Sequence, residues 1–540
     1  MPAPVYDFAI VGSGFGGSVS ALRLSEKGYS VAVLEMGKRW NADDFPKTNW
    51  SLAKSIWRPR FGLYGILQLT VLRDVFFLHG CGVGGGSLVY ANTLLVPPEE
   101  AFRDPQWVGL DWRAALGPHY ETALRMLGAV PSPVLVETDQ MLKDIADEMG
   151  RGHTFHRATV GVYFGEPGVT VPDPFFGGEG PERTGCVQCG GCMVGCRFGA
   201  KNTLDRNYLY LAEKRGAEVF PESRVVDVRA LDGEEGGYEL TVEKSTGWSH
   251  PHRTIRARNV VVAAGSFGTV ELLMRCKERG SLPRLSDALG NYLRTNSEAL
   301  LAIRSRRPDV DYSRGIAITS GVFVDDKTHI EVCRYSAGSD ALAPLATVLT
   351  DGGGSVPRWL RWVGQVIRHP LQFLRTAVPF GWAKKSAILL VMQPVDSHLK
   401  YVMRRRWWWP FGKRLDSDRG TAKPVPVYIP IANEVARKMA AKMDGVPESG
   451  IIEVLLGKAT TAHILGGCPI GTSEKTGVVD TSCRAYGHPG LYVVDGSVIP
   501  ANLGVNPSLT ITAMAEHAMS QVPARDADSA AHAAKRGTSA

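Results

Sequence analysis

The sequence predicts an α/β fold in which a Rossmann-like dinucleotide-binding domain is interleaved with a second domain built on an antiparallel sheet. Three observations carry that expectation. The first is VYDFAIVGSGFGGSVSALRLSEKGYSVAVLE near the N-terminus, an apolar strand, a glycine turn, a helix pattern and a second strand ending in an acid. The second is the return of the strand, turn and helix order in RNVVVAAGSFGTVELLM (258–274) and GLYVVDGSVIPANLGVNPSLTITAMAEHAM (490–519). The third is size: 540 residues, 44% of them hydrophobic, suffice for one large core or two.

In the N-terminal unit each residue type has a physical reason. Gly12 permits a tight turn, Gly14 lets backbone approach a pyrophosphate, Gly17 lets helix lie on strand, and the helix N-terminus faces negative charge. Glu35 closes the second strand, where a carboxylate accepts hydrogen bonds from a ribose diol. A second glycine run lies in HGCGVGGGSLVYANTLL (79–95), where Gly82, Gly84, Gly85 and Gly86 precede Ser87 between apolar stretches. Such a run crowds backbone N–H groups onto a ligand.

These segments, followed by HILGGC (463–468) and VVDGSVIPANLGVNPSLT (493–510), resemble the glucose-methanol-choline (GMC) family of FAD-dependent oxidoreductases. GVGGGSLV and DGSVIPANLGVNPSLTITAMAE place the bacterial cholesterol-oxidase-like branch nearest. The resemblance implies bound FAD, with its ring where two domains meet. FAD-binding segments at 1–100, 200–300 and 455–521 would alternate with substrate-domain segments at 101–199 and 301–454, ahead of a disordered tail at 522–540. It further implies that Ala264, Gly265, Asn296, Asp495 and Gly496 join the glycine turns around the cofactor. Tyr90 stands where sterol-oxidising relatives tend to have Asn.

Alcohol oxidation by a flavin needs a group that takes the hydroxyl proton while hydride leaves carbon, and histidine titrates in the right range. His463 matches the family's catalytic histidine, and Asn506 its substrate-orienting partner. Sterol-oxidising relatives add a carboxylate over the substrate; Glu331, in an alternating strand pattern, is preferred to Glu298. The expected reaction is oxidation of a secondary alcohol on an apolar, sterol-like substrate to the ketone, with dioxygen or an electron-transfer protein as acceptor. An iron–sulfur-containing sugar or polyol dehydrogenase is the alternative enzyme, and a non-catalytic flavin-binding redox sensor the alternative of another class.

CVQCGGCMVGC supplies Cys186, Cys189, Cys192 and Cys196 with ferredoxin-like spacing, but Arg197 stands where such runs have Pro. Three of them also resemble the cluster-binding segment of GMC dehydrogenases that carry a three-iron cluster. Two readings stand side by side, a 3Fe–4S or 4Fe–4S cluster and a structural turn over the flavin. Zinc and disulfides fit the compressed spacing less well.

The formal charge of +7 is concentrated, because residues 358–414 hold twelve Lys or Arg against one acid, Asp396. RWLRWVGQVIRHP puts Trp359, Trp362, Val363, Val366 and Ile367 on one helix side and Arg358, Arg361, Gln365 and Arg368 on the other, until Pro370. Basic amphipathic segments with Trp suit an anionic bilayer surface. Nucleic acid is not expected, since the rest of the chain is net acidic. The opening residues lack a signal-peptide pattern and no window reaches about 18 uncharged apolar residues. The expected location is cytoplasmic, peripheral on the inner face of the membrane.

Overall fold

In the computed structural model, residues 5–232, 236–406, 409–420 and 423–525 are described. Trp407, Trp408 and the expected tail from residue 526 onward lie outside the described residues. The first sheet contains β1 (Val5–Val11), β2 (Val31–Leu34), β3 (Glu218–Phe220), β4 (Ser223–Ala230), β5 (Tyr238–Lys244) and β6 (His252–Val262), joined by Leu491–Val493. Its order is β3-β2-β1-β6-β5-β4, with Leu491–Val493 on β6. The pairs among β3, β2, β1 and β6 are parallel, as is the pairing of Leu491–Val493, and β5 is antiparallel to both its neighbours. The continuous apolar runs at residues 8–11 of β1 and 260–262 of β6 are what a parallel sheet covered on both faces requires.

Helix α1 (Phe15–Glu26) follows β1 and α2 (Gly265–Arg279) follows β6. A methyl added at Gly16 would lie 1.7 Å from Val494 O, and one at Gly17 2.0 Å from Gly12 O. Only residues without Cβ let α1 sit this close to the strand ends, which explains the density of glycine there.

The second sheet is wholly antiparallel. It contains β7 (Ala299–Ser305), β8 (Ile318–Phe323), β9 (His329–Cys333), β10 (Ala346–Val348), β11 (Ser386–Met392) and β12 (Gly445–Gly450), in the order β10-β12-β7-β11-β9-β8, and His156–Arg157 closes the β8 edge. Alternation along the strands sorts the two faces. Leu301, Ile303, Ile330, Val332, Leu389 and Val391 pack in one core cluster. Each such side chain contributes about 1.5–3 kcal/mol by leaving water. The opposite parity, Leu300, Ala302, Cys333, Ile388 and Leu390, faces a cavity between the two sheets. Parity therefore turns Glu331 toward the first domain.

Over the β10 edge lies a helical roof of α3 (Arg358–Arg368) and α4 (Pro370–Ala377), with Pro370 starting the second helix. The two faces expected for α3 are distributed otherwise. Arg358 turns inward, donating to Thr350 O (3.0 Å) and Val427 O (2.6 Å), 3.8 Å from Glu453. Trp362 also turns in and donates to Thr347 Oγ1 (2.8 Å), while Trp359, Val363 and Ile367 face out. Trp382, within the basic 358–414 stretch, is buried and donates to Glu448 Oε2 (3.2 Å). Helical period separates two faces but does not say which one the neighbouring domain will receive.

Candidate active site

A cavity of about 1650 Å³ runs between the sheets, above the roughly 300–1,000 Å³ of common ligand pockets. One end is built from turns distant in sequence. Gly84 N donates to Ser13 Oγ (3.0 Å), and a methyl at Gly85 would lie 2.7 Å from Gly14 Cα. The first glycine turn and the second thus touch. Gly14 is the N-cap of α1 and offers no side-chain cap, so the helix's first N–H groups lack a capping partner. A methyl at Gly14 or at Gly265 would meet nothing within 4 Å. An open groove at an uncapped helix N-terminus fits the pyrophosphate of FAD.

Glu35 lines this end and accepts from Ser13 N (3.1 Å), Ser13 Oγ (2.6 Å) and Gly37 N (2.7 Å). Burial raises its pKa while these donors pull the other way. Asp495 accepts from Gly265 N (2.9 Å), Thr269 Oγ1 (2.5 Å), Ser497 N (2.8 Å) and Ser497 Oγ (2.5 Å). It locks the start of α2 to the turn that carries Gly496. Ala264, Gly265, Asp495 and Gly496 all line the cavity, as do Gly12, Gly14, Gly85 and Gly86.

The reaction end is set by two carboxylates. The strand Ala459–Thr461 pairs with Val75–Gly80, and Leu465 exchanges backbone bonds with Arg294, which fixes the loop carrying His463. A methyl at Gly466 would lie 1.8 Å from Tyr292 O, so this crossing admits only glycine. His463 Nδ1–H donates to Glu298 Oε1, and Ala462 N (2.8 Å) holds the other Glu298 oxygen. Nε2 is then the ring nitrogen with a free lone pair. Burial opposes charge on His463, but the Glu298 carboxylate outweighs it and raises the pKa, with help from Glu331.

Asn506 lines the cavity and donates from Nδ2 to Glu331 Oε2 (3.1 Å). Its Oδ1 has no protein partner, nor has Glu331 Oε1. Burial lifts Glu331 to about 7, against the Asn506 bond. The two candidate carboxylates are therefore both employed, Glu298 behind the histidine and Glu331 behind the asparagine. Neither carboxylate lines the cavity itself; Glu331, on the cavity side of its strand, reaches it through Asn506.

Four expected cofactor residues are internal supports. Asn296 is fully buried, accepting from Gly504 N (2.8 Å) and donating to Val505 O (3.0 Å). Ser87 Oγ donates to Gly84 O (2.7 Å) and accepts from Leu204 N (3.0 Å). Gly82 and Gly17 are contact points between backbones. Ser13, Thr269 and Ser497 were missed by sequence reasoning; only Ser497 stands beside its acid in sequence, while Ser13 and Thr269 meet theirs 22 and 226 positions away. Tyr90 lines the cavity and donates its hydroxyl to Asn202 O (3.0 Å).

Cys186, Cys189, Cys192 and Cys196 are free thiols around one small apolar-walled cavity, and burial pushes Cys186 up to about 12. Among the described residues no three of His, Cys, Asp and Glu gather to hold a metal ion. The metal assignment of the run is thus without geometric support. The run clasps the second domain instead: Gly190 N donates to Gly315 O (2.8 Å) and Gly315 N to Gln188 O (2.9 Å). Buried Lys201 ties Cys192 O (2.8 Å) to Leu88 O (3.0 Å) and Tyr90 O (2.9 Å) of the second glycine loop.

Comparison with known proteins agrees with this geometry. Residues 181–277 and 430–515 match the N- and C-terminal parts of GMC oxidoreductase, and residues 10–42 match the NAD(P)-binding Rossmann-like domain. A cholesterol oxidase of Acinetobacter baumannii is 49% identical, over 96% of this chain and 95% of that protein. A cholesterol oxidase of Mycobacterium tuberculosis is 47% identical, over 96% and 91%. The fold also resembles pyridoxine 4-oxidase from Mesorbium loti, with TM-score 0.59 and 15% identity over 95% of this chain and 98% of that one.

Proposed function

The chain belongs to the GMC oxidoreductase family, and from that premise we propose that it oxidises the 3-hydroxyl of a sterol to the ketone, with dioxygen as acceptor. Bound FAD supplies the hydride acceptor. His463 Nε2 takes the hydroxyl proton, and Glu298 holds the ring by Nδ1 and balances the charge gained. Asn506 orients the hydroxyl, its own amide fixed by Glu331.

One observation carries the substrate class. The His463 and Asn506 pair opens onto walls of Leu300, Ile318, Ile388 and Leu390, which offer a polyol no side-chain hydrogen bonds, whereas sugar sites need several convergent polar groups. Anaerobic mixing of the holoenzyme with a detergent-dispersed 3β-hydroxysterol should bleach the flavin bands. Bleaching by glucose and not by any sterol would sink the reading.

For the thiol run the same reading takes the structural clasp and no cluster. Iron and sulfide analysis of protein purified without air tests it, since stoichiometric amounts of both would return the electron route to a cluster-bearing dehydrogenase.

A further inference from the structure

The cavity wall carries a second polar point, away from the reaction end. The register of the second sheet lays that wall out in rows. Glu331, behind Asn506, stands opposite Leu390, and Leu390 opposite Leu300. One row further on, Cys333 stands opposite Ile388, and Ile388 opposite Ala302. The apolar members of both rows line the cavity. Tyr335 keeps the same parity just past the end of β9 and lines the cavity too, whereas Arg334 before it turns away and donates to Ile316 O (2.7 Å). Four residues beyond Glu331, Tyr335 stands about 13 Å along the strand from the row behind Asn506. The fused rings of a steroid span a length of that order.

The Tyr335 hydroxyl is the unemployed group of this wall. Tyr90, also in the cavity, donates to Asn202 O (3.0 Å), and the hydroxyls of Tyr120, Tyr208 and Tyr401 meet Thr510 (3.0 Å), Glu516 (2.7 Å) and Ser266 (3.1 Å). Tyr335 is half-buried, and its hydroxyl has no protein partner among the described residues. Burial pushes its pKa up, so the hydroxyl keeps its proton and is a donor. An apolar wall leaves such a donor unpaired at a cost unless a ligand completes it.

The surroundings hold the ring in place. Tyr335 packs on the cluster of Ala302, Ala343, Trp382 and Ala383. Trp382 is fixed by its bond to Glu448, and Gly381 N (2.9 Å) and Ala383 N (2.7 Å) donate to Asp340, on the loop that follows Tyr335. A donor on a braced wall is suited to reading one position of a rigid ligand.

We propose that Tyr335 is a specificity residue, donating a hydrogen bond to an oxygen on the D-ring end of the steroid whose 3-hydroxyl meets His463. The inference deepens the proposed function and rests on it for the direction in which the steroid lies. A sterol with a plain hydrocarbon tail leaves the donor unpaired, so steroids oxygenated at the D-ring end are the favoured class.

The test compares dehydroepiandrosterone, which carries a D-ring ketone, with its analogue lacking that ketone, both on the holoenzyme. The wild type should show kcat/KM at least about fivefold higher for the ketone. Tyr335→Phe should bring the two within about twofold of each other, through a higher KM for the ketone and not through kcat. Unchanged FAD content reports that the variant has folded. Equal kcat/KM for the two steroids in the wild type, or a preference that survives in Tyr335→Phe, overturns the proposal and leaves sterol oxidation standing. If neither steroid is turned over, the proposed function falls and binding decides the inference. Perturbation of the flavin bands by the two corresponding 3-ketones should then show the same preference in the wild type and its loss in the variant, and no such difference overturns the inference as well.

Discussion

At the floor of the cavity a methyl added at Gly16 would sit 1.7 Å from Val494 O, whereas on the roof one added at Gly364 would meet nothing within 4 Å. The same contrast runs through the polar groups. On the floor, Glu35, Glu298 and Asp495 are each held by two or more donors. On the roof, apolar side chains face out and Arg358 goes in. A floor packed to backbone contact fixes geometry for a reaction. A roof with room around it tolerates change.

If that division is right, substitutions on the floor should be severe and those on the roof mild or favourable. The largest effect is expected from His463→Gln, which removes the proton acceptor. Flavin reduction by sterol should slow at least a hundredfold, on the order of 10²–10⁴, with FAD content unchanged; stopped-flow absorbance checks both. Next comes Gly16→Ala, for which denaturant unfolding should report a loss of about 3 kcal/mol or more. Gly14→Ala should instead fold normally and lower FAD occupancy, because its methyl enters the open groove.

Glu298→Gln tests the electrostatics. The carboxylate raises the His463 pKa, and His463 must be neutral to accept a proton. Without the charge the imidazole gives up its proton at lower pH, so the acid limb of the flavin-reduction profile should move to lower pH. The plateau should fall about tenfold or more as the protonated ring loses its counter-charge. An unmoved limb would detach Glu298 from the chemistry. The smallest effect belongs to the roof: Gly364→Ala in α3 should stabilise by about 0.5–1 kcal/mol, read by thermal unfolding. A loss there would mean the roof is as tightly constrained as the floor.

What could be read in advance follows the same boundary. Gly12, Gly14, His463 and Asn506 were legible as cavity-lining residues, because turn chemistry is local and polar residues beside glycine turns stand out in the sequence. The partners were not. Glu298 lies 165 positions from His463, and Glu331 lies 175 from Asn506. Only the register of the antiparallel sheet decides which carboxylate stands behind which group. Asn296 and Ser87 read as ligand contacts because a buried polar residue beside a glycine turn has the same sequence appearance whether it faces a cofactor or braces the loop. On the roof, period placed Trp359 and Trp362 on a common side, yet one faces out and the other is bonded to Thr347.

The strands of the first sheet come from 5–34, 218–262 and 491–493, while those of the second come from 156–157 and 299–450. A chain threaded back and forth in this way cannot exchange its substrate sheet as a cassette, since excision at any one seam strands a piece of the other half. New specificity in such an architecture has to arise by changing individual wall residues in place. Truncation at either end should yield an aggregating fragment and not a working module.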